Sequence, residues 1–241
     1  MKIVRAADYE SMSRKAANLI SAQVILYPKS VLGLATGSTP LGIYHQLVDW
    51  YEKGDLDFSS VRTVNLDEYR GLSPEDPNSY HYYMRENFFK KTNIKSENVL
   101  IPDGTAKDPE EECARYEAAI ASLGGIDMQL LGLGNTGHIG FNEPDNCFDK
   151  LTHLVTLDQK TIEANARLFS RKELVPRQAF TMGIKTIMQA KKILLVVNGK
   201  NKAPILKRAL FGPVAPRVPA SILQLHPDVT VIADEKALSE I

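Results

Sequence analysis

Short apolar runs alternate with amphipathic segments along most of this 241-residue chain. The runs have the length of buried strands, and apolar residues recur at helical spacing between them. This alternation favours an α/β fold in which helices cover both faces of a mainly parallel open sheet. We predict strands at 31–35, 61–66, 128–133, 153–157, 193–198 and 229–233. We predict helices at 9–26, 41–51, 110–122, 158–169, 184–189 and 203–210.

Polar clusters follow four of the predicted strands at the position where each strand ends. They lie at 36–40, 67–70, 134–143 and 198–202. In an open α/β sheet, ligands bind in the crevice beyond the carboxyl ends of the strands. We therefore expect the four clusters to line one pocket.

The composition and charge of the chain argue against a nucleic-acid or membrane partner. It carries 29 Lys and Arg against 29 Asp and Glu, so no net field favours nucleic acid or an anionic membrane. No apolar run approaches the ~20 residues of a membrane span, and the first residues lack the apolar segment of a secretion signal. Cys113 and Cys147 fit neither a metal-ligand spacing nor a disulfide framework. We expect one cytoplasmic domain over 1–241, with a small-molecule substrate and no nucleic-acid or membrane partner.

Residues 127–144 carry the strongest sequence signal for chemistry. An apolar run ends in a glycine-rich turn that presents His138, Asn142 and Glu143 within six positions. Glycines let a backbone approach a ligand closely, and a histidine beside a carboxylate is a common proton-handling pair. The alternative is a glycine-rich turn with an exposed histidine. Because Asn142, Glu143 and Pro144 follow at once, we favour a functional site.

The same segment contains the glycine spacing of a dinucleotide-binding loop, at Gly132, Gly134 and Gly137. That motif has to begin a long helix in an early βαβ unit. Here it lies in the middle of the chain, and Gly140 and Pro144 prevent a long regular helix from following. We therefore expect no nicotinamide or flavin cofactor.

The segment 36–40, which we call the anion loop, has the composition of an anion-binding turn. Gly37 permits close backbone approach, and Pro40 suits the first turn of a helix whose free N–H groups would face a ligand. No Gly-Lys-Ser/Thr follows, so a nucleoside triphosphate is not implied. Lys202 and Arg167 are candidate cations for the same anion. The alternatives are an ordinary strand–turn–helix connection and two solvated side chains.

Asp67 and Glu68 close a strand with adjacent carboxylates. Side chains alternate along a strand, so we expect the two to point different ways and one of them to face the crevice. A carboxylate in a partly dry cleft can abstract a proton from the carbon next to a carbonyl or imine. The alternatives are a helix cap and a surface acid pair.

Taken together, the motifs resemble those of the glucosamine-6-phosphate deaminases. The matching segments are 32–40 (LGLATGSTP), 65–69 (NLDEY), 77–80 (PNSY), 137–144 (GHIGFNEP) and 223–226 (LQLH). The block at 137–144 is the most specific, and the matches keep the family's order along nearly the whole chain. The resemblance implies a metal-free enzyme that converts D-glucosamine 6-phosphate and water to D-fructose 6-phosphate and ammonia. It also implies the doubly wound, Rossmann-like fold shared with 6-phosphogluconolactonases and ribose-5-phosphate isomerases.

The resemblance also implies roles for individual residues of this chain. His138 is expected to open the sugar ring as the acid–base group, with Glu143 orienting it. Asp67 is expected to remove the C2 proton of the open-chain sugar and return it at C1, after which water releases ammonia from the C2 imine. A further set is expected to hold the 6-phosphate: Gly37, Ser38, Thr39, Arg167 and Lys202.

The chain departs from the family pattern at two places. Thr136 stands where the family usually has Asp or Asn directly before Gly-His, and we expect its hydroxyl to relay a hydrogen bond within the catalytic group. Asn146, His153 and Val155 stand where allosteric members bind the phosphate of an activator, and the sequence ends at Ile241 without their C-terminal extension. We therefore expect no activation by N-acetylglucosamine 6-phosphate, and a monomer or small homo-oligomer.

Two other functions compete with the deaminase prediction. A 6-phosphogluconolactonase-type hydrolase would need no carbon-bound proton to be abstracted, and a non-catalytic sugar-phosphate sensor would need no acid–base group. Asp67, His138 and Glu143 are all present, which favours the deaminase.

Overall fold

The computed structural model describes residues 1–148, 150–159, 162–163 and 175–241 of the chain. Within these ranges the strands, numbered in chain order, are β1 Lys2–Ala6, β2 Val31–Leu34, β3 Arg62–Asn65, β4 Asp67–Tyr69, β5 Val99–Leu100, β6 Met128–Gly132, β7 His153–Thr156, β8 Gln178–Thr181, β9 Ile193–Val197 and β10 Val229–Asp234. The helices are α1 Tyr9–Leu26, α2 Leu41–Glu52, α3 Tyr80–Asn87, α4 Pro109–Ser122, α5 Ile184–Met188 and α6 Ala203–Phe211. Short 3-10 segments lie at Phe89–Lys91, Ser96–Asn98, Lys200–Lys202 and Pro219–Leu225.

Seven of these strands form a parallel sheet in the order β1-β10-β9-β6-β2-β3-β5. From β2 the chain moves outward through β3 to β5, and from β6 it moves the opposite way through β9 to β10. Because parallel crossovers are right-handed, connections that run in opposite directions place their helices on opposite faces. The fold is therefore the predicted doubly wound α/β class, and its switch point lies between β2 and β6.

The central strands are apolar at successive positions because both faces of the sheet are covered. Every residue of β2 and of β9 is buried, which is the pattern of a parallel sheet between two helix layers. α1 packs on α2 and on β10, and Asp8 caps it by accepting a hydrogen bond from Ser11 N at 2.7 Å. A cap of this kind stabilises a helix by about 1 kcal/mol and fixes the residue at which it begins.

A second, small sheet pairs β4, β8 and β7 in antiparallel fashion. The predicted strand at 153–157 exists, but it belongs to this sheet as β7. The apolar pattern predicts neither β4 nor β8, because Asp-Glu-Tyr and Gln-Ala-Phe-Thr contain no continuous apolar run. β4 begins two residues after β3 ends, so the small sheet extends from the carboxyl edge of the main sheet.

The other predicted strands and helices are confirmed to within one residue at each end, apart from the helix predicted at 158–169. Most of that helix lies outside the described residues. β1, β5 and α3 are elements that the sequence prediction lacked. None of the helices in the described ranges combines the length and the apolar character needed to cross a membrane.

Candidate active site

The carboxyl ends of β2, β6 and β9 bring three polar segments together at the switch point. The anion loop follows β2, the histidine loop (residues 133–144) follows β6, and Lys202 lies in the turn after β9. Two side-chain hydrogen bonds join them. Thr39 Oγ1 donates to Asn198 Oδ1 at 2.8 Å, and Lys202 Nζ donates to Asn135 Oδ1 at 2.6 Å. The expected convergence therefore holds for these three clusters.

The fourth cluster, on β4, is tied to the histidine loop through β8. Asp67 lies opposite Thr181 in the antiparallel register. Thr181 Oγ1 accepts a hydrogen bond from Phe141 N at 3.0 Å, and Asn142 Nδ2 donates to Met182 O at 2.8 Å. The histidine loop is thus fixed against the same strand that pairs with Asp67. These contacts hold both predicted acid–base regions to β8.

Asp67 is a buried carboxylate with a strongly altered pKa. The residue is 7% exposed, and no hydrogen-bond donor from the described residues reaches its side-chain carboxylate. Burial first, and then the neighbouring charge of Glu68, raises the pKa of Asp67 to about 8. A carboxylate with such a pKa is a stronger base than one in water, which suits removal of a weakly acidic carbon-bound proton.

Glu68 has the helix-capping role that was the alternative for this acid pair. Its Oε1 accepts hydrogen bonds from Tyr69 N at 2.8 Å and Tyr80 N at 2.9 Å, and its Oε2 accepts from His81 N at 2.9 Å. Burial raises the pKa of Glu68 to about 7, and the three backbone donors oppose that rise. Glu68 therefore anchors the start of α3, which leaves Asp67 as the member of the pair suited to chemistry.

Thr136, His138 and Glu143 form one hydrogen-bonded group. Thr136 Oγ1 donates to Glu143 Oε2 at 2.6 Å, and His138 Nδ1 lies 2.9 Å from Glu143 Oε1 and 2.8 Å from Thr136 Oγ1. Because the single hydroxyl proton points at the carboxylate, Nδ1 is the donor to both oxygens, which assigns the proton of neutral His138 to Nδ1. Nε2 then carries the lone pair that can accept a proton. The sequence predicts a hydrogen bond from Thr136 toward His138 or Glu143, and in the structure its hydroxyl contacts both.

Gly134 provides the space in which the His138 imidazole lies. A Cβ atom at Gly134 would collide with Nε2, Cδ2 and Cε1 of that ring. Gly134 N also donates to His138 O at 2.9 Å, which closes the turn. The glycine spacing that resembles a dinucleotide motif therefore has another physical reason here: Gly134, which is not among the predicted site residues, leaves room for the His138 ring.

The anion loop turns at Gly37, whose φ of +105° is one that other residues rarely adopt. Pro40, directly before α2, has no side chain that can cap the helix, and in the first turn Tyr9 Oη accepts a hydrogen bond from Gly42 N at 2.8 Å. The N–H groups of the anion loop just before this helix end are therefore the candidate donors to an anion. Burial lowers the pKa of Lys202 to about 8. A bound phosphate would favour the charged form of that amine and so gain an ion pair.

Three further residues differ from the predicted site: one predicted residue is not described, and two residues that contact the site were not predicted. Arg167 lies outside the described residues, so its phosphate contact stays a prediction. Asn135 and Asn198, which hold Lys202 and Thr39, were not among the predicted site residues. Their place directly after apolar strands is the signal that could have found them. Within the described ranges, no group of three or more His, Cys, Asp or Glu side chains is arranged to hold a metal ion.

A family model described as glucosamine-6-phosphate isomerases/6-phosphogluconolactonase matches residues 6–232 of the chain. The chain belongs to this family. The resemblance drawn from the motifs is thereby confirmed. Among its curated relatives, the glucosamine-6-phosphate deaminase of Lachnoclostridium phytofermentans is 62% identical over 232 residues, which cover 96% of this chain and 98% of that protein. The glucosamine-6-phosphate deaminase of Clostridium acetobutylicum is 59% identical over 237 residues, which cover 98% of each chain.

Solved structures of the family agree with the fold. A monomeric glucosamine-6-phosphate deaminase superposes on this family member with a TM-score of 0.98 at 48% identity, covering 100% of both chains. A 6-phosphogluconolactonase from Trypanosoma cruzi superposes with a TM-score of 0.79 at 20% identity, covering 100% of this chain and 96% of that one. The second likeness concerns the fold alone.

Proposed function

We propose that this chain is a glucosamine-6-phosphate deaminase, which converts D-glucosamine 6-phosphate and water to D-fructose 6-phosphate and ammonia. Relatives that carry this name are 52% to 62% identical to it over nearly their whole length. The observation that carries the proposal is the pair of separate proton-handling groups at one crevice. The reaction needs both, because ring opening moves a proton between oxygens and isomerisation moves one between carbons. Hydrolysis of a lactone removes no proton from carbon, so it would not need the buried base at Asp67.

Ring opening is the step that we assign to the group around His138. Nε2 takes the proton from the O1 hydroxyl and gives it to the ring oxygen O5 as the C1–O5 bond breaks, which gives the open-chain aldehyde and returns His138 to its starting state. Glu143 Oε1 accepts a hydrogen bond from Nδ1–H throughout and holds the imidazole ring in one orientation. Thr136 fixes the other carboxylate oxygen, so the whole group is set before substrate arrives.

Isomerisation is the step that we assign to Asp67. The carboxylate removes the C2 proton of the open-chain sugar and returns it at C1. O1 gains a proton as the amine loses one, so the aldehyde carbon C1 becomes a CH2OH group and the C2 amine becomes an imine. Water then adds to C2 and ammonia leaves, which gives the ketone of D-fructose 6-phosphate. Because Asp67 is buried, little water competes for the proton before it is returned to C1.

Binding of the 6-phosphate is the task that we assign to the anion loop and Lys202. The backbone at Gly37, Ser38 and Thr39 and the end of α2 supply hydrogen-bond donors, and Lys202 supplies charge. Arg167 remains a predicted member of the same set. Phosphate bound here would hold C1 and C2 of the sugar near the acid–base groups, so that binding energy remote from the reacting carbons raises kcat/KM.

The deciding assay is ammonia release from D-glucosamine 6-phosphate by the purified chain. Hydrolysis of 6-phosphogluconolactone is measured beside it. We expect ammonia release and no lactone hydrolysis above the uncatalysed rate. Lactone hydrolysis without ammonia release would support the lactonase, and binding of the sugar phosphate without either product would support a sensor.

The phosphate site is tested by Lys202→Ala, with Lys200→Ala in the same turn as the matched control. Lys200 is exposed, whereas Lys202 is held by Asn135. Loss of a charged hydrogen bond should raise KM for the phosphorylated sugar about 10-fold or more, with any activity on free glucosamine unchanged. Equal losses on both substrates, or equal losses in the two variants, would remove Lys202 from the phosphate site.

The remaining expectations belong to this proposal. One domain over 1–241, a monomer or small homo-oligomer, and a cytoplasmic location stay predictions, as does the absence of activation by N-acetylglucosamine 6-phosphate. Light scattering of the purified chain at several concentrations measures the assembly state directly. Hyperbolic saturation by substrate, unchanged by the N-acetylated sugar phosphate, is the expected kinetic result.

A further inference from the structure

Two tyrosine hydroxyls hold the backbone of the anion loop from outside the loop itself. Tyr83, on α3, donates to Gly37 O at 2.6 Å. Tyr9, at the start of α1, donates to Ser38 O at 2.9 Å and accepts a hydrogen bond from Gly42 N at 2.8 Å. Two helices that are distant in sequence therefore fix successive carbonyl groups of one short loop.

Because the peptide bond is planar, these two contacts also fix the direction of the N–H groups that follow the two carbonyls. A trans peptide is planar, and its C=O and the following N–H point in opposite directions. No cis peptide occurs in the described residues. With the carbonyls of Gly37 and Ser38 directed at the tyrosines, the N–H groups of Ser38 and Thr39 point to the opposite side of the loop. Two successive donors on one side of a turn form a concave site for an anion.

The tyrosines are suited to this task by their chemistry. A phenol is a rigid side chain with a single polar atom at its tip, so it holds a carbonyl with little loss of side-chain entropy. Burial raises the pKa of Tyr83 above its ordinary value, so the hydroxyl keeps its donor proton at neutral and mildly alkaline pH. Without these donors, the Gly37 and Ser38 peptide groups would be able to rotate and present carbonyl oxygens to a ligand.

We propose that Tyr9 and Tyr83 are positioning residues that orient the anion loop and thereby set the affinity of the site for the substrate's phosphate. This inference rests on the proposed function of the loop. Neither residue touches the reacting carbons in the scheme above. Their influence should therefore fall on binding of the phosphate and leave the chemical steps unchanged.

The test uses Tyr83→Phe and Tyr9→Phe, which keep the rings and remove the hydroxyls. The matched control is Tyr82→Phe on the same helix, whose ring lies under Arg85 and whose hydroxyl has no hydrogen-bond partner among the described residues. Binding of inorganic phosphate is measured by calorimetry, and KM and kcat are measured with D-glucosamine 6-phosphate. We expect each of the first two variants to raise the phosphate Kd and the KM about 3- to 10-fold, with kcat and the control variant unchanged.

Two results would overturn the inference. A lower kcat with unchanged phosphate Kd would give the tyrosines a role elsewhere, and failure of the wild-type chain to bind inorganic phosphate would remove the site itself. If the wild type binds phosphate but releases no ammonia, the proposed reaction fails while the phosphate Kd of the variants still decides the inference. Thermal unfolding of each variant is recorded, and if Tyr83→Phe does not fold, the partly exposed Tyr9 decides.

Discussion

Asp67 and Glu143 are two carboxylates of the same crevice, but the regions that hold them differ. β4 holds Asp67 in a buried position that raises its pKa to about 8, and no donor from the described residues reaches it. The histidine loop holds Glu143 with one oxygen bonded to Thr136 and the other 2.9 Å from His138 Nδ1. The donors around a carboxylate thus decide whether it is suited to take a proton or to orient a neighbour.

Removal of the Asp67 carboxylate should have the largest effect. Asp67→Asn keeps the size of the side chain but cannot accept the C2 proton, so ammonia release should fall about 10²–10⁴-fold while sugar phosphate still binds. The exposed Asp49→Asn on α2 is the control and should keep wild-type turnover. Exchange of sugar-carbon protons with solvent deuterium is followed by NMR. Exchange at the wild-type rate in Asp67→Asn would exclude Asp67 as the base.

Disturbance of the His138 ring should have the next largest effect. Gly134→Ala places a methyl group against the imidazole and should displace it, with a loss of turnover up to about 10²-fold. Gly132→Ala, two residues earlier, is the matched control, because its added Cβ meets no atom within 4 Å. Both variants are assayed for ammonia release and for retention of the fold by circular dichroism. Similar rates in the two variants would show that the contact with Gly134 does not position His138.

The raised pKa of Asp67 should also make the stability of the folded protein depend on pH. The folded-state pKa of about 8 for Asp67 lies above its ordinary value of 3.8, so between these values the folded chain keeps a proton that the unfolded chain has lost. The free energy of unfolding should therefore fall as the pH rises from about 4 to about 8. Glu68, whose pKa is raised to about 7, contributes with the same sign.

Asp67→Asn removes the first of these contributions. At pH 8 the variant should be more stable than the wild type by at least about 1 kcal/mol, or about 2–4 °C in Tm, and the gain should be smaller at pH 5. Thermal unfolding of both proteins at the two pH values measures the difference. An equal gain at pH 5 and pH 8 would mean that Asp67 is ionised in the folded protein at both.

Loss of the Thr136 hydroxyl should have the smallest effect, because the second contact between Glu143 and His138 remains. Thr136→Val should slow ring opening about threefold and leave proton exchange at carbon unchanged. Thr136→Ser, which keeps the hydroxyl, is the control. Pre-steady-state kinetics separate the two steps, and a substrate supplied in open-chain form should bypass the defect. An unchanged ring-opening rate in Thr136→Val would contradict the relay.

The sequence predicts the five inner strands of the main sheet well, because they are buried on both faces and so appear as apolar runs. It misses the two edge strands, β1 and β5, which are more exposed. The same logic finds His138 and Asp67, since both follow such runs. It does not find β4 or β8, where polar residues pair in a small sheet, and it leaves open which of Asp67 and Glu68 caps a helix. The sequence does not predict the roles of Tyr9 and Tyr83, because their contacts with the anion loop join distant parts of the chain and leave no local sequence pattern.

The switch point between β2 and β6 has a consequence for how the protein acquires activity as it folds. Leu32 pairs with Met128, 96 positions later, and the anion loop and histidine loop extend from these two strands. Contacts of such long range are formed slowly because a large loop of chain has to close first. We expect catalysis to appear only in the last phase of refolding, after the bulk of helical structure has formed. A nascent chain that has not yet reached β6 would carry the anion loop and Asp67 but lack His138 and Glu143, and so would be inactive.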